Sequence, residues 1–172
     1  MFHRFTEPAR QAFITAGTLA LEAGQARLTT DMLLLALAET RPFELPAFTA
    51  TPAALRARLA VRDTRALLAG LGIDLDEVRR RTRDDAGDWR LRRSVVRPLR
   101  VVLYGPRGEV VLSGGARKVV EVAAWSGSGL VTGEGLVWGL LADGRNGAAR
   151  HLQGVGVNVR ALVGEVGMPT RA

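Results

Sequence analysis

An internal repeat constrains this chain more than any single motif. In the first half, Leu28-Thr29-Thr30-Asp31-Met32-Leu33-Leu34-Leu35-Ala36-Leu37 is followed later by Leu71-Gly72-Ile73-Asp74-Leu75-Asp76-Glu77-Val78. In the second half, Val131-Thr132-Gly133-Glu134-Gly135-Leu136-Val137-Trp138-Gly139-Leu140 is followed by Val155-Gly156-Val157-Asn158-Val159-Arg160-Ala161-Leu162. Each time, a hydroxyl and an acidic residue precede a long apolar run. A chain of 172 residues is enough for one ordinary domain, so the two copies are expected to share a core and form one compact body.

The periodicity within each half is helical. Residues 7–23 carry Ala9, Ala12, Phe13, Ala16, Leu19, Ala20 and Ala23 on one face, with Thr6 as cap, Pro8 in the first turn and Gly24 as the stop. Thr30 is read as the cap of a second helix over 31–39, whose Asp31 faces the positive end of the helix dipole. The run from Met32 to Ala38 is apolar all round and must therefore be buried. Pro42, Pro46 and Pro52 interrupt residues 41–62, although 53–61 has a short helical pattern. Asp63 and Asp74 are read as caps of further helices over 64–69 and 75–83. In the second half Ser113 caps a helix with Ala116, Val119, Val120, Val122 and Ala123 as its apolar positions.

Between the halves the character changes. Asp84-Asp85-Ala86-Gly87-Asp88 has a linker's composition, and Val101-Val102-Leu103-Tyr104 and Glu109-Val110-Val111-Leu112 flank Gly105-Pro106-Arg107-Gly108, read as a β-hairpin with a four-residue loop. The expected fold class is all-α: two pseudo-symmetric four-helix units with a short hairpin between them. The first unit spans 1–83 with a proline-rich insertion at 41–62, the linker spans 84–111, and the second unit spans 112–168.

Composition removes several classes of function. There is no cysteine, which excludes disulfides, thiolate metal sites and a cysteine nucleophile and fits a reducing cytoplasm. Charges or glycines interrupt every apolar stretch, so neither a membrane span nor a secretory signal is expected. The formal charge is +7, and Lys118 is the only lysine. Arginines concentrate at Arg79, Arg80, Arg81, Arg83, Arg90, Arg92, Arg93, Arg97 and Arg100, interrupted by Asp84, Asp85 and Asp88. The bland account is a solvated linker and helix face; the alternative is an arginine-mediated nucleic-acid-binding protein.

Taken in order, the residues resemble the N-terminal domain of Clp unfoldases, the double Clp repeat of the ClpA/ClpC class. Met1-Phe2-x-Arg4-Phe5-Thr6-Glu7-x-Ala9-Arg10 is similar to that family's start and runs without a gap into Thr30-Asp31-Met32-Leu33-Leu34-Leu35-Ala36-Leu37, where the family usually has Gly-Thr-Glu-His-Ile-Leu-Leu-Gly-Leu. Gly133-Glu134-Gly135-Leu136 takes the same place in the second repeat. The resemblance covers residues 1–40, 66–83 and 112–166. Departures are the long stretch 41–62, a short Ser126-Gly127-Ser128-Gly129 loop, Met32 and Gly135 in place of histidine, and the hairpin in place of a plain linker.

The resemblance implies a non-catalytic module that captures substrates, adaptor proteins, phosphoarginine-marked proteins or cyclic peptides and modulates a Clp unfoldase-protease. It implies two related sites, one with Thr30 and Asp31 and one with Thr132 and Glu134, the carboxylates holding a guanidinium. Phe2 would add an apolar surface for peptides or cyclic peptides, with Phe5 packed inward and Leu112 holding the equivalent place in the second repeat. A phosphate at the same helix start would meet free backbone N–H groups.

No catalytic or cofactor chemistry is expected. No G-x-x-x-x-G-K-[ST] phosphate cradle occurs, and Leu112-Ser113-Gly114-Gly115 has no such loop to work against. His3 and His151 are the only histidines, too few and too far apart in sequence for a metal cluster. Gly127-Ser128-Gly129 lacks the spacing of a nucleophile elbow, and His151 reads as a helix-surface residue.

Overall fold

A computed structural model describes residues 2–59, 89–94, 100–125 and 129–167. A short 3-10 turn, Phe2–Arg4, leads into α1 (Glu7–Glu22). Then come β1 (Arg27–Leu28), α2 (Thr30–Thr40) and α3 (Pro52–Leu59). The sheet is completed by β2 (Arg90–Arg93), β3 (Val101–Gly105) and β4 (Gly108–Leu112). The second half is helical: α4 (Gly114–Trp125), α5 (Gly133–Ala142), α6 (Ala148–Gly154) and α7 (Val159–Val166). The helices expected over 64–69 and 75–83, the linker at 84–88 and the serines 126 and 128 lie outside the described residues.

The all-α expectation is overturned by a four-stranded mixed sheet, so the chain is α/β. The strand order is β1-β4-β3-β2. β2 and β4 each pair antiparallel with β3, while β1 runs parallel to β4, with Arg27 opposite Val111 and Leu28 opposite Leu112. A hairpin alone is marginal in water, and here it recruits a strand on each side. Its turn is tighter than expected: Gly105 pairs with Gly108, leaving only Pro106 and Arg107 in the loop. Gly108 has φ +143°, a conformation that side-chain-bearing residues rarely adopt.

One face of the sheet is part of the core. Leu28, Leu91, Leu103, Val110 and Leu112 are buried with α1 residues Ala9, Ala12, Phe13, Ala16 and Ala20 in a single apolar cluster that also takes in both halves' helices. Gly17 of α1 lets Leu103 approach closely, and the Trp89 ring lies against both Gly17 and Gly105. At the centre α2 is buried from Met32 to Ala38, as its continuous apolar run requires. Each fully buried leucine there stabilises the fold by about 1.5–3 kcal/mol relative to an exposed one.

Residues 41–51 are irregular but not loose. Phe43, Leu45, Phe48 and Ala50 are buried, the rings of Phe43 and Phe48 lie 4.9 Å apart, and Arg41 donates to the Ala50 carbonyl at 3.0 Å. α3 packs against α2 and α6, helped by an Arg56–Glu39 ion pair and by Arg58, which packs into the space left by Gly154. Among the described residues no helix is long and apolar enough to cross a membrane.

Candidate functional site

Four helices begin in the same way, each with an apolar residue, then a hydroxyl residue, then the first turn. The pairs are Phe5-Thr6 before α1, Leu28-Thr29 before α2, Leu112-Ser113 before α4 and Val131-Thr132 before α5. All four apolar residues are buried, in the place that staples an entering chain to its helix. They also pair with each other across the repeat. Phe5 bridges Val131 and Leu28 pairs with Leu112, both in parallel. The hydrogen bonds match: Thr6 N donates to Val131 O at 3.0 Å, and Ser113 N donates to Leu28 O at 2.9 Å. Each half's first helix therefore starts beside the other half's second helix.

The hydroxyl groups mostly cap. Thr29 Oγ1 accepts from Met32 N at 3.4 Å, Ser113 Oγ from Ala116 N at 3.1 Å and Thr132 Oγ1 from Gly135 N at 3.0 Å. This corrects the reading of Thr30 as the cap. Thr29 has the extended backbone of a cap (φ −94°, ψ 167°), whereas Thr30 is the first helical residue and only 8% exposed. Thr6 has the extended cap backbone but makes no side-chain cap; its hydroxyl lies 3.4 Å from Val131 O instead.

At the start of α2, Asp31 is the second helical residue. Thr30 beside it touches the beginning of α4, since a Cβ on Gly115 would sit 3.1 Å from Thr30 Cγ2, while Gly114 faces open space. Sequence reasoning gave His151 no role here. The structure brings its Nε2 to 3.9 Å from Asp31 Oδ1, and its Nδ1 is buried without a hydrogen-bond partner among the described residues. Burial pushes the Asp31 carboxyl above its ordinary pKa, and attraction to His151 partly offsets this. Amides in a helix's first turn have no partner inside the helix. One helix start thus combines such donors with a carboxylate, an imidazole and the bare glycine backbone of a second helix start.

The start of α5 holds the equivalent residues on different ground. Thr132 is the cap, Gly133 the first helical residue and Glu134 the second. The Pro42 carbonyl crowds Gly133, so the connection leaving α2 passes over this helix start. Its neighbour α1 opens with Glu7 and Pro8, which bring a second carboxylate and a residue without an N–H. The start of α5 is therefore more crowded and more acidic than the start of α2.

Phe2 is half-buried rather than free. Its ring stands edge-on to Phe5 at 5.3 Å and to Phe13 at 6.3 Å, and the Arg10 guanidinium lies 5.6 Å from its centroid. Phe5 is buried between Phe2 and Phe13. Among the described residues no three His, Asp or Glu side chains gather as a metal site. No protein-family model matches this chain, and no curated protein matches its sequence.

Proposed function

We propose that this chain is a non-catalytic binding module of the Clp N-terminal-domain type, capturing peptides, adaptors or phosphoarginine-marked proteins at its paired helix starts. The observation that carries this reading is the Leu28–Leu112 pairing, which sets the start of α2, with Asp31 in its first turn, beside the glycine start of α4. A guanidinium suits the carboxylate, and a phosphate suits the backbone donors next to it. The equivalent pairing of Phe5 with Val131 supports a second site with Glu134 in this reading. No phosphate cradle occurs in these 172 residues, so ATP-driven work on a captured client would be done elsewhere.

Titration calorimetry with phosphoarginine and with plain arginine tests the reading. Phosphoarginine is expected to bind more tightly than arginine. Asp31→Ala is expected to weaken it about ten- to hundredfold, the loss of a charge-assisted pair of about 1.5–3 kcal/mol, with a smaller effect from Glu134→Ala. Binding that survives both substitutions unchanged would dismiss the site.

A further inference from the structure

We propose that Arg150 and His151 of α6 decide which ligand the Asp31 site accepts, by receiving an anion bonded directly to the cation that Asp31 holds. This rests on the reading of Asp31 as the partner of a guanidinium, and it adds the side chains that tell a phosphorylated guanidinium from a plain one.

The arrangement starts at Gly147, the buried residue just before α6, whose φ of +79° suits glycine. Residues three and four positions further on share a helix face and lean back toward the helix start. Arg150 and His151 hold those positions. With no side chain on Gly147, both lie over its backbone: a Cβ there would be 3.3 Å from His151 Nε2 and 3.5 Å from Arg150 Nη2. The two nitrogens therefore converge on one point, and the same His151 nitrogen lies 3.9 Å from Asp31 Oδ1.

Both groups are available to a ligand. Arg150 is exposed and makes no ion pair among the described residues; its carbonyl alone is engaged, accepting from Arg58 Nη2 at 3.5 Å. His151 Nδ1 is buried with no partner among the described residues, so a proton there would be desolvated and unpaired. The ring proton therefore belongs on Nε2, and 3.9 Å is too long for a hydrogen bond to Asp31 that would keep it occupied. Neighbouring charges are engaged elsewhere. Arg58 of α3 packs at Gly154, the opposite end of α6, Asp143 beyond α5 faces Lys118, and Glu165 of α7 accepts from Ala47 N.

The closeness of the carboxylate to these donors selects the ligand. In a phosphorylated guanidinium the phosphorus is bonded to a guanidinium nitrogen, so its positive and negative groups are as closely joined as Asp31 and His151 are. The Arg150 fork can take the phosphate through two parallel hydrogen bonds. A plain guanidinium on Asp31 would leave that fork unpaired and bring a like charge towards it.

Calorimetry at neutral pH with phosphoarginine and with plain arginine tests this. Arg150→Ala is expected to weaken phosphoarginine binding about tenfold or more, the loss of a charge-assisted hydrogen bond, while plain arginine binds as well or better. Arg150→Glu should go further and reverse the preference. His151→Leu should also weaken phosphoarginine binding, by a smaller factor. Both Arg150 variants should keep the wild-type melting temperature because the side chain is exposed, which separates lost recognition from lost fold. Arg160→Ala, on the exposed side of α7, should change neither ligand. If phosphoarginine binding requires Asp31 yet both Arg150 variants keep the wild-type preference, this inference is overturned and the reading of Asp31 stands. If binding is absent, or indifferent to Asp31→Ala, both fall.

Discussion

The backbone carbonyl of Pro42 fills the space that a side-chain carbon on Gly133 would need. Gly133 occupies the place that Thr30 holds in the first repeat, so a contact made by the connection after α2 makes the two helix starts differ. A second close approach lies further along the same helix, where a Cβ on Gly139 would be 2.6 Å from the Val119 carbonyl oxygen of α4. In both cases the obstacle is backbone, which cannot rotate away.

Gly133→Ala and Gly139→Ala are each expected to destabilise the fold by about 1–3 kcal/mol, the usual cost of overpacking. This should outweigh the roughly 1 kcal/mol by which alanine favours helix over glycine. Gly164 in α7 is the control, because a Cβ there meets nothing within 4 Å. Gly164→Ala should stabilise by about 0.4–1 kcal/mol. Denaturant midpoints of the three variants decide it, and a Gly139→Ala protein as stable as Gly164→Ala would refute the close crossing of α4 and α5.

Asp31 and His151 give a pH signature. The Asp31 carboxyl has a raised pKa because it is partly buried, and His151 reduces the shift. A carboxyl whose folded pKa exceeds its unfolded one binds its proton more tightly in the folded state, so ionisation costs stability. That cost is absent at pH below the ordinary carboxylate value, grows as pH rises through the raised one, and is constant above it. Asp31→Asn should therefore gain melting temperature over wild type at neutral pH and show no gain in strong acid. His151→Leu should raise the Asp31 pKa further. A melting-temperature difference that does not change with pH would mean Asp31 is as well solvated folded as unfolded.

Much of the helical part and the central hairpin was legible and the two outer strands of the sheet were not, for reasons that particular residues make plain. α2 announces itself because Met32 to Ala38 can only be buried, and α1 because its alanines recur on one face. The hairpin strands are rich in Val and Leu. β2, by contrast, is Arg-Leu-Arg-Arg with a single buried residue, Leu91, so its alternation hides inside a charge run. β1 has two residues, too short for any period. Both exist as strands because the hairpin offers its edges. The Asp31–His151 approach joins distant parts of the chain and has no local signal. The repeated apolar-hydroxyl pairs Phe5-Thr6, Leu28-Thr29, Leu112-Ser113 and Val131-Thr132 were a readable signal; they would have moved the cap from Thr30 to Thr29.

The cap assignment has its own test. Thr29→Ala and Thr132→Ala each remove a hydroxyl that accepts a first-turn amide, and each should cost about 0.5–2 kcal/mol. The larger loss is expected at Thr132, whose hydrogen bond is 3.0 Å against 3.4 Å at Thr29. Thr30→Val keeps the shape that packs towards Gly115 and removes no cap, so it should be close to neutral. Equilibrium denaturation separates the outcomes. A Thr30→Val loss equal to that of Thr29→Ala would place the cap one residue later.

Asp143, at the end of α5, should respond to pH in the opposite sense to Asp31. Its Oδ1 accepts from Arg145 N at 3.2 Å, and its Oδ2 lies 3.2 Å from Lys118 Nζ of α4. The Arg145 backbone hydrogen bond is the main reason its pKa lies below the ordinary value, with Lys118 second. A carboxyl depressed in the folded state contributes stability that is fully present above the ordinary carboxylate pKa. This contribution is lost as pH falls from there through the depressed value. Lys118→Met should remove only the second cause, leaving the Asp143 pKa raised relative to wild type but still below normal. Added salt should mimic that variant in part, because it screens the exposed lysine more than the short backbone hydrogen bond. A carbon-detected NMR titration of the Asp143 carboxyl reads both effects directly. If Lys118→Met returns it fully to the ordinary value, the lysine and not the Arg145 amide holds the charge at the end of α5.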